Sequence, residues 1–461
     1  MRKTKKMNKP IFVIGLAAGI AIPFVSARAD EPAAEHRWPQ WGGPSRDFKI
    51  PDVGLAKKWP EDGPPVLWTS EIGDGYAAIV SDGKRLYTMA ADREKTGFQE
   101  YATAGRESVL CIDASNGKTV WQHAYDDPWL DGMEMEFGPG PHATPLLMDG
   151  KVYTIGCTAD FTCLDAATGK VLWSQNLHET MDASHVGRGF GASPLGYKGR
   201  VILPIGGEGQ GIVAFDGDSG EIAWKNQDFG PTYASPFVIE IDGQPQLISF
   251  TGAQVAGLNP DTGELLWNHP HETPYGANIS TPVWSKEKSI LFISSAYGTG
   301  ARGIRLTRKE GKTVPEELWY NNKMKIHHGN AVTDGKHFFA SSGDFGPAFF
   351  AGIDAETGEF LWKKRGLSKA TCVMAGKRLI ILDEDGQLAL ARVSRKKIRI
   401  REKHQLLNRN AWTVPTLVGP TLYVRDRKSI MAIDLSGNQE GAKQSRAGEQ
   451  ASSENAIGTA G

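Results

Sequence analysis

The stretch CLDAATGKVLW (163–173) decides the fold, because close copies of it recur along the chain. Related phrases include CIDASNGKTVW (111–121) and GIDAETGEFLW (352–362). In every copy an Asp or Asn lies eight residues before a Trp, and a Gly lies four before it. A fixed period of this kind sets the architecture of a whole chain. The shared positions are Asp113, Gly117, Trp121, Asp165, Gly169, Trp173, Asp216, Gly220, Trp224, Asn259, Gly263, Trp267, Asp354, Gly358 and Trp362.

Each copy predicts a strand, a tight turn and a second strand. An Asp side chain accepts hydrogen bonds from backbone N–H groups two residues on and so starts a turn. The Gly supplies the positive φ that closes a short hairpin. The Trp then lies on the second strand, where a large aromatic ring covers a pleated surface. We interpret the repeated Trp residues as packing between modules and not as a platform for a cofactor.

A second recurring phrase completes the module. HATPLLMDGKVYTIG (142–156) predicts two further strands joined by a D-G turn, so each module has four strands. Neighbouring Trp residues at the repeated position, from Trp68 to Trp362, are 43 to 53 residues apart. This is the length of a four-stranded propeller blade, and no long amphipathic helix intervenes.

The sequence contains eight such modules, and the last lacks an outer strand. PPVLWTSEIG (64–73) can supply that strand from the N-terminal side and so remove the free sheet edges. We therefore predict an all-β, eight-bladed β-propeller over residues 66–436, closed by N- and C-terminal strands. The modules start near Tyr76, His142, Gly191, Tyr233, Asn278, His328, Ala370 and Trp412.

The two ends of the chain predict export and a flexible tail. A basic segment, an apolar run and a small-residue cleavage site predict a signal peptide over residues 1–29. We expect a periplasmic or extracellular monomer without a transmembrane span in the mature chain; an uncleaved anchor is the alternative. Residues 30–65 are expected to form an N-terminal strap, and the polar tail 437–461 is expected to be disordered.

Charge and cysteine content bear on possible partners and on possible disulfides. The net charge of −1 gives no field that would favour nucleic acid. The basic run RVSRKKIRIREK (392–403) is interpreted as the solvated face of an outer strand and not as a binding site. Among the four cysteines, Cys157 and Cys163 are the best placed for a disulfide. The alternative is that all four are small buried residues.

The repeated A-x-D-x-x-T-G-x-x-x-W phrase resembles the blade motif of the pyrroloquinoline-quinone-like (PQQ-like) β-propeller repeat family, over about residues 38–436. That family contains eight-bladed quinoprotein dehydrogenases and non-enzymatic relatives, among them a propeller lipoprotein of the outer-membrane β-barrel assembly machine. WPQWGGPSRD (38–47) is similar to a secreted bacterial branch known only as PQQ-like repeat proteins. Because the motif concerns packing, it implies the fold more than any activity.

The resemblance implies two functions. Family dehydrogenases use adjacent cysteines above PQQ, a calcium ion and an Asp base, whereas this sequence has no adjacent cysteines and no position that matches the base. We therefore expect a binding or assembly scaffold with protein partners in the cell envelope. The alternative is a PQQ-dependent oxidoreductase acting on alcohols or sugars, with the quinone and Ca²⁺ at the channel mouth.

Propeller geometry predicts where a ligand would bind. The first strand of each blade lines the central channel, so the residues just before it ring the channel mouth. The residues at these positions carry aromatic, imidazole, amide and cationic groups, a mixture that suits a planar anion. For His142 and His328, the alternative is that they are ordinary hydrogen-bonded histidines of turns. Since neighbours on a strand point to opposite faces, at most one of His327 and His328 is expected to face the channel. The predicted set is Tyr76, His142, Tyr233, Asn278, His328, Lys369 and Trp412.

Two weaker patterns remain. The acidic loop 125–142 carries hard oxygen ligands that suit calcium, and the alternative is a plain acidic surface loop. A carbohydrate-handling surface would depend on Trp38, Trp41, Trp59 and Trp129, and the alternative is that these residues pack within the strap and loops.

Overall fold

The computed structural model describes residues 36–276, 278–408 and 410–436. The predicted signal peptide (1–29) and tail (437–461) lie outside the described residues. Within them, no helix is long and apolar enough to cross a membrane. The one described α-helix, α1 (Leu177–Met181), has five residues. The rest is strands and loops, which confirms the all-β prediction.

The strands form eight sheets that follow one another around a ring. The first strands are β1 (Lys49–Ile50), β2 (Val66–Glu71), β3 (Val80–Ser81), β4 (Arg85–Asp92), β5 (Lys95–Gly97), β6 (Glu100–Tyr101), β7 (Arg106–Asp113) and β8 (Thr119–Asp126). Blade 1 contains β3, β4, β7 and β8, and β5 pairs with β6 in a separate hairpin.

Blades 2 to 5 each contain four consecutive antiparallel strands. Blade 2 is β9 (Leu146–Met148), β10 (Lys151–Ile155), β11 (Asp160–Asp165) and β12 (Val171–Asn176), and blade 3 is β13 (Leu195–Tyr197), β14 (Arg200–Leu203), β15 (Ile212–Asp216) and β16 (Ile222–Asn226). Blade 4 is β17 (Phe237–Ile241), β18 (Gln244–Phe250), β19 (Gln254–Leu258) and β20 (Leu265–Pro270), and blade 5 is β21 (Val283–Ser285), β22 (Ile290–Ser295), β23 (Gly300–Lys309) and β24 (Lys312–Asn321).

Blades 6 to 8 complete the ring. Blade 6 is β25 (Ala331–Thr333), β26 (His337–Ser342), β27 (Phe349–Asp354) and β28 (Phe360–Lys364), and blade 7 is β29 (Ala370–Ala375), β30 (Arg378–Asp383), β31 (Gln387–Val393) and β32 (Ile398–Gln405). Blade 8 is β33 (Thr416–Val418), β34 (Thr421–Arg425) and β35 (Ser429–Asp434), with β2 as its outer strand. The antiparallel pairing of β2 with β35 confirms that N- and C-terminal strands close the ring.

The repeated Asp, Gly and Trp join one blade to the next. Asp165 Oδ1 accepts the backbone N–H of Thr168 at 2.8 Å and so holds the turn. The Trp121 ring of the preceding blade lies against Gly169, where a Cβ would come within 2.6 Å of the ring. Trp121 also donates a hydrogen bond to the Ala166 carbonyl at 3.1 Å. The same ring-on-glycine contact joins Trp68 to Gly117, Trp173 to Gly220, Trp224 to Gly263 and Trp319 to Gly358.

The N-terminal segment enters the central channel, which the sequence analysis did not foresee. Strand β1 pairs in parallel with β29, the innermost strand of blade 7. The residues before β1 reach the wall of blade 1, two blades further around the ring, where Trp38 exchanges backbone hydrogen bonds with Ser81. Residues 38–50 therefore form a channel plug.

The parallel pairing of β1 with β29 attaches the channel plug to blade 7 only. Further hydrogen bonds attach the plug to other blades of the ring. The Arg46 guanidinium donates to the Pro194 carbonyl in blade 3 at 2.9 Å, and the Trp41 indole donates to Thr281 before blade 5 at 2.8 Å. Phe48, 1 % exposed, anchors the plug in the hydrophobic core. The plug thus fills the channel, and its buried residues belong to the hydrophobic core of the ring.

The two faces of the ring differ in their connections. One face, the turn face, carries the short hairpin turns within blades, such as 149–150 and 165–170. The other, the mouth face, carries the longer connections between blades, such as 127–145 and 177–194. The four cysteines are buried free thiols, so the predicted Cys157–Cys163 pair is not formed in this structure.

Candidate binding site at the channel mouth

A cavity of about 310 Å³ opens at the centre of the mouth face. Trp41 at the tip of the channel plug is part of its lining, so the plug provides the floor. The walls come from the connections that precede the first strands of the blades. Six of the seven residues predicted from the sequence line this cavity: Tyr76, His142, Tyr233, His328, Lys369 and Trp412.

Aromatic rings form a continuous arc around the cavity. Tyr76 stacks between His142, with ring centroids 5.6 Å apart, and Trp412, with centroids 5.3 Å apart. The arc continues from Trp412 to His328 at 5.0 Å and then to His327 at 5.4 Å. Flat rings on several walls suit a planar guest, because aromatic groups gain most from stacked and edge contacts.

Two cations line the cavity, and its lining contains no carboxylate. The Lys369 ammonium lies 3.4 Å from Glu384, which is outside the lining. Arg188 pairs with Glu134 and Glu136 of the acidic loop at 3.3 and 3.2 Å. The charged groups of the lining itself are therefore both cations, and each pairs with carboxylates outside the lining.

A third positive charge lies below the floor. Arg46 of the channel plug is 4 % exposed and donates to the carbonyls of Ser193 and Pro194. Its Nε has no hydrogen-bond partner, and no carboxylate pairs with it among the described residues. Burial lowers the pKa of Arg46 to about 9, so it stays charged at neutral pH. Ser193 also lines the cavity, which places this charge directly beneath the site.

The three histidines of the cavity are neutral at pH 7. Burial lowers the pKa of His142 and of His327 to about 4, and it lowers the pKa of His328 as well. The Lys369 ammonium lies 3.5 Å from His327 Nδ1 and can only donate, so His327 Nε2 carries the proton toward the Tyr297 hydroxyl at 3.0 Å. The Nε2 atoms of His142 and His328 are buried without a partner.

Two expectations about the mouth were wrong. Asn278 is fully buried outside the cavity, where its amide donates to the His271 carbonyl and its carbonyl accepts from Ser295. Both His327 and His328 line the cavity, because this segment is an irregular bend and not a strand with alternating sides.

The acidic loop and the tryptophans have structural partners. Asp127 is buried in an ion pair with Arg93 at 2.7 Å, and no cluster of three potential metal ligands occurs within the described residues. Arg93 also lies over the Trp129 ring at 5.0 Å. Trp38 and Trp59 are buried, so the surface that a carbohydrate module would need is not formed by these residues.

Sequence reasoning missed several lining residues. Phe137 and Tyr297 come from connections whose length and composition vary between blades, so the repeat gives no position for them. Phe137 packs edge-on against Trp412 at 5.7 Å, which brings the acidic loop over the cavity. Trp41 could not be placed because its position depends on the channel plug. The aromatic content of these segments was the only available signal.

Comparisons with known proteins give the context of this site. The chain is 22% identical over 289 residues to the outer membrane protein assembly factor BamB of Shewanella oneidensis, covering 61% of this chain and 69% of that protein. It is 30% identical over 291 residues to the dehydrogenase subunit of the quinone alcohol dehydrogenase of Komagataeibacter europaeus. That alignment covers 57% of this chain but only 38% of the subunit.

A solved structure supports the fold. The crystal structure of BamB from Moraxella catarrhalis superposes with a TM-score of 0.54 at 15% identity, covering 80% of this chain and 99% of that one. The family profile described as "Outer membrane protein assembly factor BamB" matches residues 105–364. Since this match spans more than half of the 461 residues, the protein belongs to that family.

Proposed function

We propose that the protein is an exported scaffold that holds partner proteins during outer-membrane protein assembly in the cell envelope. Membership of the BamB family is the observation that carries the proposal. The ring supports it, because its plugged channel and interlocked blades can present surfaces of defined shape. Export by the predicted signal peptide is part of the same proposal.

The mouth face offers the contact surface. Phe345 is 85 % exposed and Tyr275 is 67 % exposed, and both pack against Tyr297 at the cavity rim, with centroids 6.4 and 5.0 Å away. Aromatic residues are enriched at protein interfaces, where they supply large rigid contact areas. An exposed aromatic ridge beside a cavity therefore suits a protein partner that inserts a side chain.

Gene deletion in the native host tests this proposal. We expect deletion to lower the abundance of outer-membrane proteins, measured by quantitative mass spectrometry, and the wild-type gene to restore it. The double variant Tyr275→Ser/Phe345→Ser should restore outer-membrane protein abundance less than the wild-type gene does. The matched control Phe98→Ser, at an aromatic residue 86 % exposed on a different loop, should restore fully. Unchanged outer-membrane protein levels after deletion would contradict the proposal.

The cavity supports a second candidate, a PQQ-dependent oxidoreductase. The aromatic arc that contains Tyr76 and Trp412 would pack against a planar quinone, and Arg188 and Lys369 would bind its carboxylates. Bound PQQ supplies an electrophilic quinone that accepts a hydride equivalent. The remaining requirements are not met, because the lining has no carboxylate for a base and the described residues contain no cluster for a metal. The fit is therefore to a planar anion and not to a complete dehydrogenase centre.

Titration with PQQ separates the two candidates. Cofactor fluorescence and dye reduction with alcohols or sugars would be followed with and without Ca²⁺. Tight binding that His142→Ala or His328→Ala abolishes, together with calcium-dependent dye reduction, would favour the oxidoreductase. Binding without turnover would leave the scaffold with a ligand-occupied cavity. If the protein does not bind PQQ at micromolar concentration, it is not a PQQ-dependent oxidoreductase.

A further inference from the structure

The outer hairpin of blade 7 differs in charge from the corresponding hairpins of blades 3 and 6. The turn that joins β31 to β32 reads SRKK (394–397), whereas the equivalent turns read DGDSGE (216–221) in blade 3 and DAETGE (354–359) in blade 6. The turns of blades 3 and 6 each carry three carboxylates and no cation. The same structural position is thus acidic in those blades and basic in blade 7.

The charge continues along the outer strand. Seven cations of this hairpin are exposed, and within residues 36–276, 278–408 and 410–436 none lies at ion-pair distance from a carboxylate. The Lys403 ammonium of this hairpin donates a hydrogen bond to the Gly366 carbonyl at 2.7 Å. The exposed cations are Arg392, Arg395, Lys396, Lys397, Arg399, Arg401 and Lys403.

The arrangement opposes folding. Arg392 on β31 lies directly opposite Arg399 on β32 in the antiparallel register. Like charges at directly opposed positions destabilise a sheet, and no counter-ion relieves this pair. On β32 the exposed cations alternate with half-buried residues, which agrees with the solvated outer strand face expected from the sequence. An anion that binds from outside would relieve the repulsion between these two exposed guanidinium groups.

Neighbouring residues extend the basic surface. Trp362 on β28 donates its indole N–H to the Ser394 carbonyl at 2.9 Å, so blade 6 lies directly against the basic turn. Lys363, Lys364 and Arg365 follow Trp362 and are exposed. The outer rim of blades 6 and 7 therefore presents ten cations on a protein whose net charge is −1.

We propose that this basic rim docks the propeller onto a bilayer surface rich in anionic lipid headgroups. The side chains project from a hairpin end and an outer strand, so they can reach a flat surface together. Exposed Lys and Arg side chains suit a surface on which negative charge is spread over many headgroups. Each cation that lies within a Debye length of that surface adds to the attraction. An acidic protein segment would require a defined set of pairings. The proposal is independent of the assembly function.

Vesicle flotation tests the proposal with the full chain. Vesicles of equal parts phosphatidylglycerol and phosphatidylcholine would be compared with pure phosphatidylcholine. We expect binding only to the anionic vesicles, weakened by added salt. Arg395→Gln/Lys396→Gln/Lys397→Gln should lower the partition coefficient roughly a hundredfold. Lys118→Gln/Lys170→Gln/Lys225→Gln removes the same charge from exposed positions on blades 1 to 3 and should stay within about twofold of wild type.

Three results would overturn the proposal. Equal losses in the two triple variants would show that net charge alone drives binding. Binding that does not depend on phosphatidylglycerol would exclude an anionic surface. Binding to polyglutamate or duplex DNA in preference to the vesicles would assign the rim to an acidic protein or a nucleic acid instead. Circular dichroism of each variant would verify that the ring is folded.

Discussion

The turn face and the mouth face of the propeller are built from different kinds of sequence. On the turn face, Asp113, Asp165 and Asp216 accept the same type of turn hydrogen bond, and the Trp of one blade packs on the Gly of the next. On the mouth face, the connections differ from blade to blade in length and chemistry. The comparison teaches that the repeated residues fix the ring, while the residues that vary supply the cavity and its rim.

The channel plug gives the largest expected effect, because it joins the two faces through the core. Phe48→Ala should lower the free energy of unfolding by about 3–5 kcal/mol, since it removes a fully buried aromatic ring that packs edge-on against Trp41. Urea denaturation measures the change. The control Phe98→Ala, on an exposed loop, should stay within about 0.5 kcal/mol of wild type. Similar losses in both variants would mean that the plug is not part of the core.

Two glycines on the turn face separate backbone strain from packing between blades. Gly169 and Gly199 have almost the same positive φ, +72° and +75°, but only Gly169 lies against a Trp ring. Gly199→Ala should cost about 1 kcal/mol from backbone strain alone. Gly169→Ala should cost about 3 kcal/mol, because its Cβ must also displace Trp121. Equal costs in thermal or urea unfolding would contradict the role assigned to the ring-on-glycine contact.

The mouth face should respond to pH through its histidines. The folded pKa of His142, about 4, lies below the ordinary value of 6.5, so the unfolded chain binds more protons between these values. The stabilising contribution of neutral His142 is therefore complete above pH 6.5 and declines as the pH falls toward 4. The advantage of wild type over His142→Gln should narrow by about 2 kcal/mol between pH 7 and pH 5. A constant difference in urea unfolding would show that His142 titrates normally.

The sequence was most informative where residues repeat. The Asp, Gly and Trp phrase predicted the blades and their number, and the spare strand around Trp68 predicted the ring closure. The sequence was less informative where the position of a residue depends on contacts with residues far away in the chain. Asn278 starts its module as expected, yet hydrogen bonds to a neighbouring loop turn it away from the cavity. The channel plug could not be foreseen, because its short strand pairs with a partner more than 300 residues away.

Site-specific photocrosslinking in the native envelope tests the division between the two faces most directly. A photoreactive phenylalanine analogue would replace Phe345 or Tyr275 on the mouth face, or Leu172 or Val120, which are exposed apolar residues beside the repeated Trp. The account predicts that both mouth positions crosslink to the same envelope protein and that the two repeat positions give no such product. Crosslinks to that protein mainly from Leu172 and Val120 would contradict it, since the repeated residues would then form the working surface.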